Sequence, residues 1–171
     1  MDARTDAGDG PMATKNPPVV ERVSDRELTV ARTFDAPARL LFEAWSTAEL
    51  LKRWWVPKSI GMTLLSCEAD VRVGGKYRFE FRHPASDQPI AFFGKYIEVV
   101  PNKRIVWTNE ESADGAVTTV TFEEKGGKTL LRVNEVYPSK EALEANAGGM
   151  DAMPEQFDQL DELLVSLGAN R

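Results

Sequence analysis

Lys76-Tyr77-Arg78-Phe79-Glu80-Phe81-Arg82-His83 alternates aromatic with charged residues. Successive side chains of a β-strand point to opposite faces, so Tyr77, Phe79 and Phe81 share one face while Arg78, Glu80 and Arg82 share the other. One face belongs against a core and the other in water, which is the signature of an antiparallel sheet covered on one side only.

Working outward from this strand, residues 62–73 form a strand-like run that stops at Gly74-Gly75, a pair able to take the positive φ of a tight hairpin. Residues 90–100 make a further strand ending at Pro101-Asn102. Residues 104–109, 117–124 and 129–137 are three more, separated by Ser112-Ala113-Asp114-Gly115 and by Lys125-Gly126-Gly127-Lys128. Hairpin-length loops imply antiparallel neighbours. On the N-terminal side, residues 26–34 read as the first strand, and Asp35 is the expected N-cap of a helix carrying Leu40, Leu41, Phe42 and Trp45. Ser46-Thr47 breaks that helix, and residues 48–55 form a second short one before Pro57. On the C-terminal side, Ser139 caps a helical turn, Gly148-Gly149 ends it, and residues 150–167 form the longest helix, with Pro154 tolerated near its first turn. Met150, Met153, Phe157, Leu160, Leu164 and Leu167 make its apolar stripe, and Glu155, Asp158, Asp161 and Glu162 are expected to face outward. The acidic stretch from Glu141 to Glu162 is read as a solvated face. Strands in succession followed by one amphipathic helix predict an α+β domain in which an antiparallel sheet lies over that helix.

The whole chain has 171 residues, 42% of them hydrophobic and 28% charged, which fits one domain with a core of its own. A net charge of -6 argues against nucleic acid or an anionic membrane as partner, because both are bound through basic surface. A single cysteine, Cys67, forbids an internal disulfide, and with a single histidine, His83, no zinc site of the usual Cys/His kind can be assembled. No metal and no cofactor are expected. The first 18 residues lack the apolar core of a secretory signal, and no apolar run is long enough to span a membrane, so a cytoplasmic location is expected. Residues 1–25 are read as a flexible tail, the first 20 being small, polar and rich in Gly, Pro and Asp.

The element order resembles the helix-grip fold of the START-like, or SRPBCC, superfamily. Phe34-Asp35-Ala36-Pro37 leads into Leu41-Phe42-Glu43-Ala44-Trp45, followed by Leu51-Lys52-Arg53-Trp54-Trp55-Val56-Pro57. Then come Asp70-Val71-Arg72-Val73-Gly74-Gly75-Lys76-Tyr77-Arg78-Phe79, Gly94-Lys95-Tyr96-Ile97-Glu98-Val99-Val100-Pro101 and Arg104-Ile105-Val106-Trp107-Thr108. These motifs carry a closer resemblance, within that superfamily, to the group of the activator of the heat-shock-protein-ninety ATPase, in its bacterial stand-alone form. It covers about residues 26–167, and the domain is set at residues 26–168. The resemblance implies a curved sheet wrapped around the C-terminal helix with an apolar cavity between them. It also implies a stress-response setting and a choice among ligand carrier, cyclase, hydrolase and chaperone activator, since one scaffold hosts all of these. Where the family often has Gly-Trp at the start of the last helix, this chain has Ala152-Met153, so ligand preference does not carry over at that point.

The aromatic residues either line such a cavity or fill a core. The candidate cavity set is Trp45, Trp54, Tyr77, Phe79, Phe81, Tyr96, Trp107, Phe122, Met150, Met153 and Phe157, with no catalytic residue assigned. Of Trp54 and Trp55, one is expected to be core and the other exposed, since adjacent helical positions point about 100° apart. Glu98, in step with Phe92, Gly94 and Tyr96, is either a buried acid–base carboxylate or a partner for Arg72, Lys103 or Arg104, the second being favoured. Glu135, in step with Leu131 and Val133, poses the same choice, and His83 and Cys67 are read as a solvated loop residue and a small buried hydrophobe. The expected function is binding of a small apolar or amphipathic molecule by a monomer or homodimer. The alternatives are a chaperone-activating module or an enzyme that uses a cavity carboxylate.

Overall fold

The computed structural model describes residues 18–110, 113, 115–146 and 153–168. In chain order these form β1 (Val19–Ser24), β2 (Glu27–Phe34), α1 (Ala38–Ser46), α2 (Ala48–Trp54) and a 3₁₀ turn (Lys58–Ile60). Then follow β3 (Thr63–Ala69), β4 (Lys76–Arg82), β5 (Ile90–Val100), β6 (Arg104–Thr108), β7 (Val117–Lys125) and β8 (Lys128–Val136), before α3 (Lys140–Asn146) and α4 (Met153–Ser166). The strands make one curved antiparallel sheet in the order β1-β2-β8-β7-β6-β5-β4-β3, with α4 against its inner face. This is the α+β helix-grip arrangement that the element order implies.

The alternation that suggests β4 also builds the rest of the sheet. Val30 of β2, Val120 of β7, Leu131 and Val133 of β8 and Ile105 of β6 are all buried, and they meet Leu41 and Ala44 of α1 and Leu160 and Leu164 of α4 in one core. Each of the Val, Leu and Ile side chains contributes on the order of 1.5–3 kcal/mol by leaving water. Two glycines let strands come close enough to shape the sheet. Gly75 turns the chain from the loop after β3 into β4, and a Cβ there would lie 1.9 Å from the Asp70 carbonyl oxygen. At Gly94 of β5 a Cβ would lie 2.0 Å from the Thr108 carbonyl oxygen, so no other residue lets β5 approach the end of β6 as closely.

Several expectations need correction. Residues 19–24, placed in the flexible tail, form the edge strand β1, paired from Val19 opposite Ala31 to Ser24 opposite Glu27. All six are exposed, so no buried face gave them a periodic signal. Asp35 does not cap α1. Pro37 occupies the cap position without a side-chain bond, and the free Ala38 N–H instead donates to Glu124 Oε1 at 2.9 Å, from the far end of β7. Asp158 and Asp161 are not simply solvated: both reach Arg32 of β2, at 3.1 and 4.0 Å, and that arginine side chain is almost fully buried. Met150 lies outside the described residues.

Candidate functional site

The sheet seals on α4 at only one end of the helix. At the other end a cavity of about 450 Å³ opens between β4, β5, β6, the start of α4 and the segment that follows α2. Trp45, Tyr77, Phe79, Phe81, Tyr96, Trp107 and Met153 of the candidate set line it. Trp54 and Phe157 line instead a smaller space of about 100 Å³, which shares Trp45, Trp107, Glu135 and Met153 with the larger one. Phe122 lines neither. It sits under α1, where its ring meets Phe42 edge-on at 5.9 Å, so it belongs to the filled core.

Five of the rings form a closed circuit of contacts around the cavity. Trp107 meets Trp45 at 5.9 Å, Trp45 meets Trp55 at 5.8 Å, and Trp55 meets Phe79 at 5.3 Å. Phe79 meets Tyr77 at 5.8 Å, and Tyr77 returns to Trp107 at 6.4 Å. Most of these contacts are edge-to-face, the favoured geometry for paired aromatics, so the rings hold one another without collapsing into the space. The tryptophan pair divides as its helical spacing requires. Trp54 is 1% exposed and donates its indole N–H to the Ala44 carbonyl at 3.1 Å, while Trp55 is half-buried on the cavity wall. Trp45 Nε1 is buried with no hydrogen-bond partner among the described residues, so that ring is held by its neighbours alone.

The wall formed by residues 55–60 is strapped to α4. Gln159 donates to the Trp54 and Val56 carbonyls at 3.0 and 2.9 Å and accepts from the Lys58 N–H at 2.9 Å. Gln156 donates to the Trp55 carbonyl at 2.5 Å, and Glu155 accepts from the Ser59 N–H at 2.8 Å and from its hydroxyl. A segment whose only regular structure is the short 3₁₀ turn thus has several of its backbone groups satisfied by three side chains of one helix face.

The polar end of the cavity is Glu135. Cross-strand pairing places Tyr96, Trp107, Thr118, Glu135 and Leu28 in a single row over five strands, all on the inner face. Glu135 Oε1 accepts from the Tyr137 hydroxyl at 2.8 Å and Oε2 from the Thr118 hydroxyl at 3.5 Å. Burial drives the Glu135 pKa up, against those two hydrogen bonds, which favour the charged form. Burial and the neighbouring carboxylate push the Tyr137 phenol up as well, and burial does the same to Tyr96. The arrangement can hold a proton at Glu135 beyond the normal carboxylate range and offer it, or its absence, to a molecule in the cavity.

Glu98, the other carboxylate weighed, takes the opposite fate. A bulge between Tyr96 and Glu98 breaks the alternation of β5, and Glu98 reaches Arg104 at 3.9 Å on the wet face. His83 accepts the Ala85 N–H on Nδ1 in the loop after β4, as a turn residue. Cys67 is buried against the Ala48 carbonyl, and burial raises its thiol to about 11, too high for a nucleophile at neutral pH. Among the described residues no group of three or more His, Cys, Asp or Glu is placed to hold a metal, and no helix is long and apolar enough to cross a membrane. Asn109 and Tyr137 also line the cavity but are not in the candidate set, although the strands read over residues 104–109 and 129–137 put them in step with Trp107 and Glu135. That parity was the signal that could have found them.

A sheet closed on a C-terminal helix at one end and open at the other defines a START-like, helix-grip protein. Residues 35–165 match the family described as Activator of Hsp90 ATPase homolog 1-like protein, and the chain belongs to that family. No curated protein matches the chain in sequence. Among solved structures, a Rhodobacter sphaeroides protein is similar at 23% identity and a TM-score of 0.80, over 88% of this chain and 99% of that one. A Chromobacterium violaceum protein is similar at 28% identity and a TM-score of 0.67, over 80% and 96%. An AHSA1-like protein from Aeromonas hydrophila has 16% identity and a TM-score of 0.63, over 84% and 96%. Family membership places the chain among ligand-binding or chaperone-activator modules.

Proposed function

We propose that the protein binds a small apolar or amphipathic molecule in the space between the sheet and α4. The observation that carries this reading is the cavity itself: about 450 Å³, bordered by the circuit of Trp45, Trp55, Tyr77, Phe79 and Trp107. That volume lies within the ~300–1,000 Å³ of small-molecule sites, and aromatic walls with a few polar groups are their usual lining. The rings keep the space open through mutual contacts, which a core selected only for stability has no need to do. Native mass spectrometry of the gently purified protein, followed by thermal unfolding against a panel of lipids and aromatic natural products, tests it. A retained mass or a panel member that raises the midpoint supports the reading, since a ligand at 100 times its Kd stabilises by about 2.7 kcal/mol. A protein that carries no adduct and responds to no panel member refutes it.

The family description favours a second reading, activation of a chaperone ATPase. It predicts a complex with the bacterial heat-shock-protein-ninety homologue and a faster ATPase rate; neither occurring would dismiss it.

A further inference from the structure

Among the described residues the cavity combines a ring-rich wall with one carboxylate and no basic residue. Among the described lining residues none is Lys, Arg or His, and Glu135 is the sole acidic one. Its carboxylate has hydroxyl partners but no cation within ion-pair distance among the described residues. Every ion pair among the described residues lies elsewhere, so the one charge-bearing group among the described lining residues has no countercharge among them.

The surrounding rings act in the same direction. An aromatic face carries partial negative charge, and neighbouring rings that stand nearly perpendicular cannot all turn their positive edges to the same space. Trp55 stands at 88° to Phe79 and at 90° to Trp45. A cation near such rings gains attraction that an anion loses, and Trp is the strongest partner. Glu135 and Trp107 lie two strands apart in one row with Thr118 between them, about 10 Å backbone to backbone at normal strand spacing. A molecule with an aromatic or aliphatic body and a short charged arm spans that distance.

We propose that the ligand is an organic amine, bound as its ammonium ion with the charged head on the Glu135 carboxylate and its apolar body within the ring circuit. Fatty acids, acyl phosphates and other anionic amphiphiles are disfavoured, because no described residue of the wall carries a positive charge to balance theirs and an ionised Glu135 would oppose it. The inference rests on the cavity being a ligand site.

Three probes of nearly equal shape separate the two ideas: 2-(1-naphthyl)ethylamine, 2-(1-naphthyl)ethanol and 1-naphthylacetate, titrated calorimetrically into the full chain at pH 7.5. The expected order is amine, then alcohol, then carboxylate, with the amine favoured over the alcohol by about tenfold. In Glu135→Gln, which keeps the shape, can accept from the Tyr137 hydroxyl and can donate to the Thr118 hydroxyl oxygen, the amine and alcohol should converge to within about threefold while the alcohol binds as before. An alcohol or carboxylate that binds as well as the amine, or an amine preference that survives in Glu135→Gln, overturns the proposal and leaves the ligand site standing. Binding by none of the three, with no response to the wider panel, removes the site and the proposal together. Should Glu135→Gln fail to fold, the order of the three probes on the unmodified protein decides the question.

Discussion

The two ends of α4 carry the same kind of apolar residue and do different work. Toward its C-terminus Leu160, Leu163 and Leu164 are all but inaccessible, closed in by β2, β8 and α1. Toward its N-terminus Met153 is only half-buried and borders open space together with Gln156. A stiff helix laid on a strongly curved sheet cannot contact it equally along its length. Close packing at one end leaves a gap at the other, and the gap is where function has room.

The sharpest way to break this comparison is at the sealed end. Leu160→Ala removes a side chain surrounded on all sides and should lower unfolding free energy by about 2–5 kcal/mol, measured by urea denaturation. A loss well below that would mean the sealed end relaxes around the missing atoms and is not the rigid anchor described above. Next in size is the strap. Gln159→Ala strands the Trp54 and Val56 carbonyls and the Lys58 N–H at once, and should cost about 1–3 kcal/mol, with faster amide exchange in residues 55–60. Unchanged exchange there would show that Pro57 and the packing of Trp54 hold the wall without help from α4.

How much of this was legible beforehand follows from the physics of each element. Strand β4 was readable nearly to the residue because it has one wet and one dry face and period two survives in the sequence, whereas β5 was bounded by the turn signals on either side of it, its alternation being broken by the bulge. The edge strand β1 has no dry face, so its sequence offered no period to set it apart from the small, polar stretch that precedes it. The candidate cavity set mixed three environments for a related reason. Phe79 and Phe122 share inward strand parity and Phe157 lies on the apolar stripe of α4, and none of these patterns says which ring meets a filled core and which meets space. The two carboxylates show the limit most clearly. Parity alone gave Glu98 and Glu135 equal standing, and a bulge that sequence does not announce turned one outward while the uninterrupted pairing of β8 kept the other inward.

Glu135 offers the next test, read in pH dependence. Its pKa is raised in the folded state above the ordinary 4.5, so the folded protein binds this proton more tightly than the unfolded chain does. Stability from this group is therefore present in full at acid pH and is lost as pH rises from about 4.5 through the folded pKa. Glu135→Gln carries no such proton. The variant should gain on the parent progressively as pH rises, with the difference levelling off once Glu135 is fully ionised. The Tyr137 phenol titrates far higher and leaves this window undisturbed. Urea denaturation of both proteins at several pH values measures it; a difference that shrinks with rising pH would place Glu135 in a site that favours its charge, with a cation nearby.

The smallest expected change in stability is at the open end of α4. Met153 touches protein on one side and the cavity on the other, so truncating it forfeits few dispersion contacts and creates little new void. Met153→Ala should cost less than about 1 kcal/mol, a fraction of the Leu160→Ala loss at the other end of the same helix. Ligand selection should respond in the reverse order. Shortening Met153 widens the space between α4 and the rings and should shift preference toward bulkier members of a homologous series. Trimming Leu160 should weaken the fold while leaving the rank order of ligands alone. Denaturation and ligand titration on the two variants set these effects side by side. Equal and large stability losses would mean that Met153 sits in a filled core, and the contrast between the two ends of the helix would disappear.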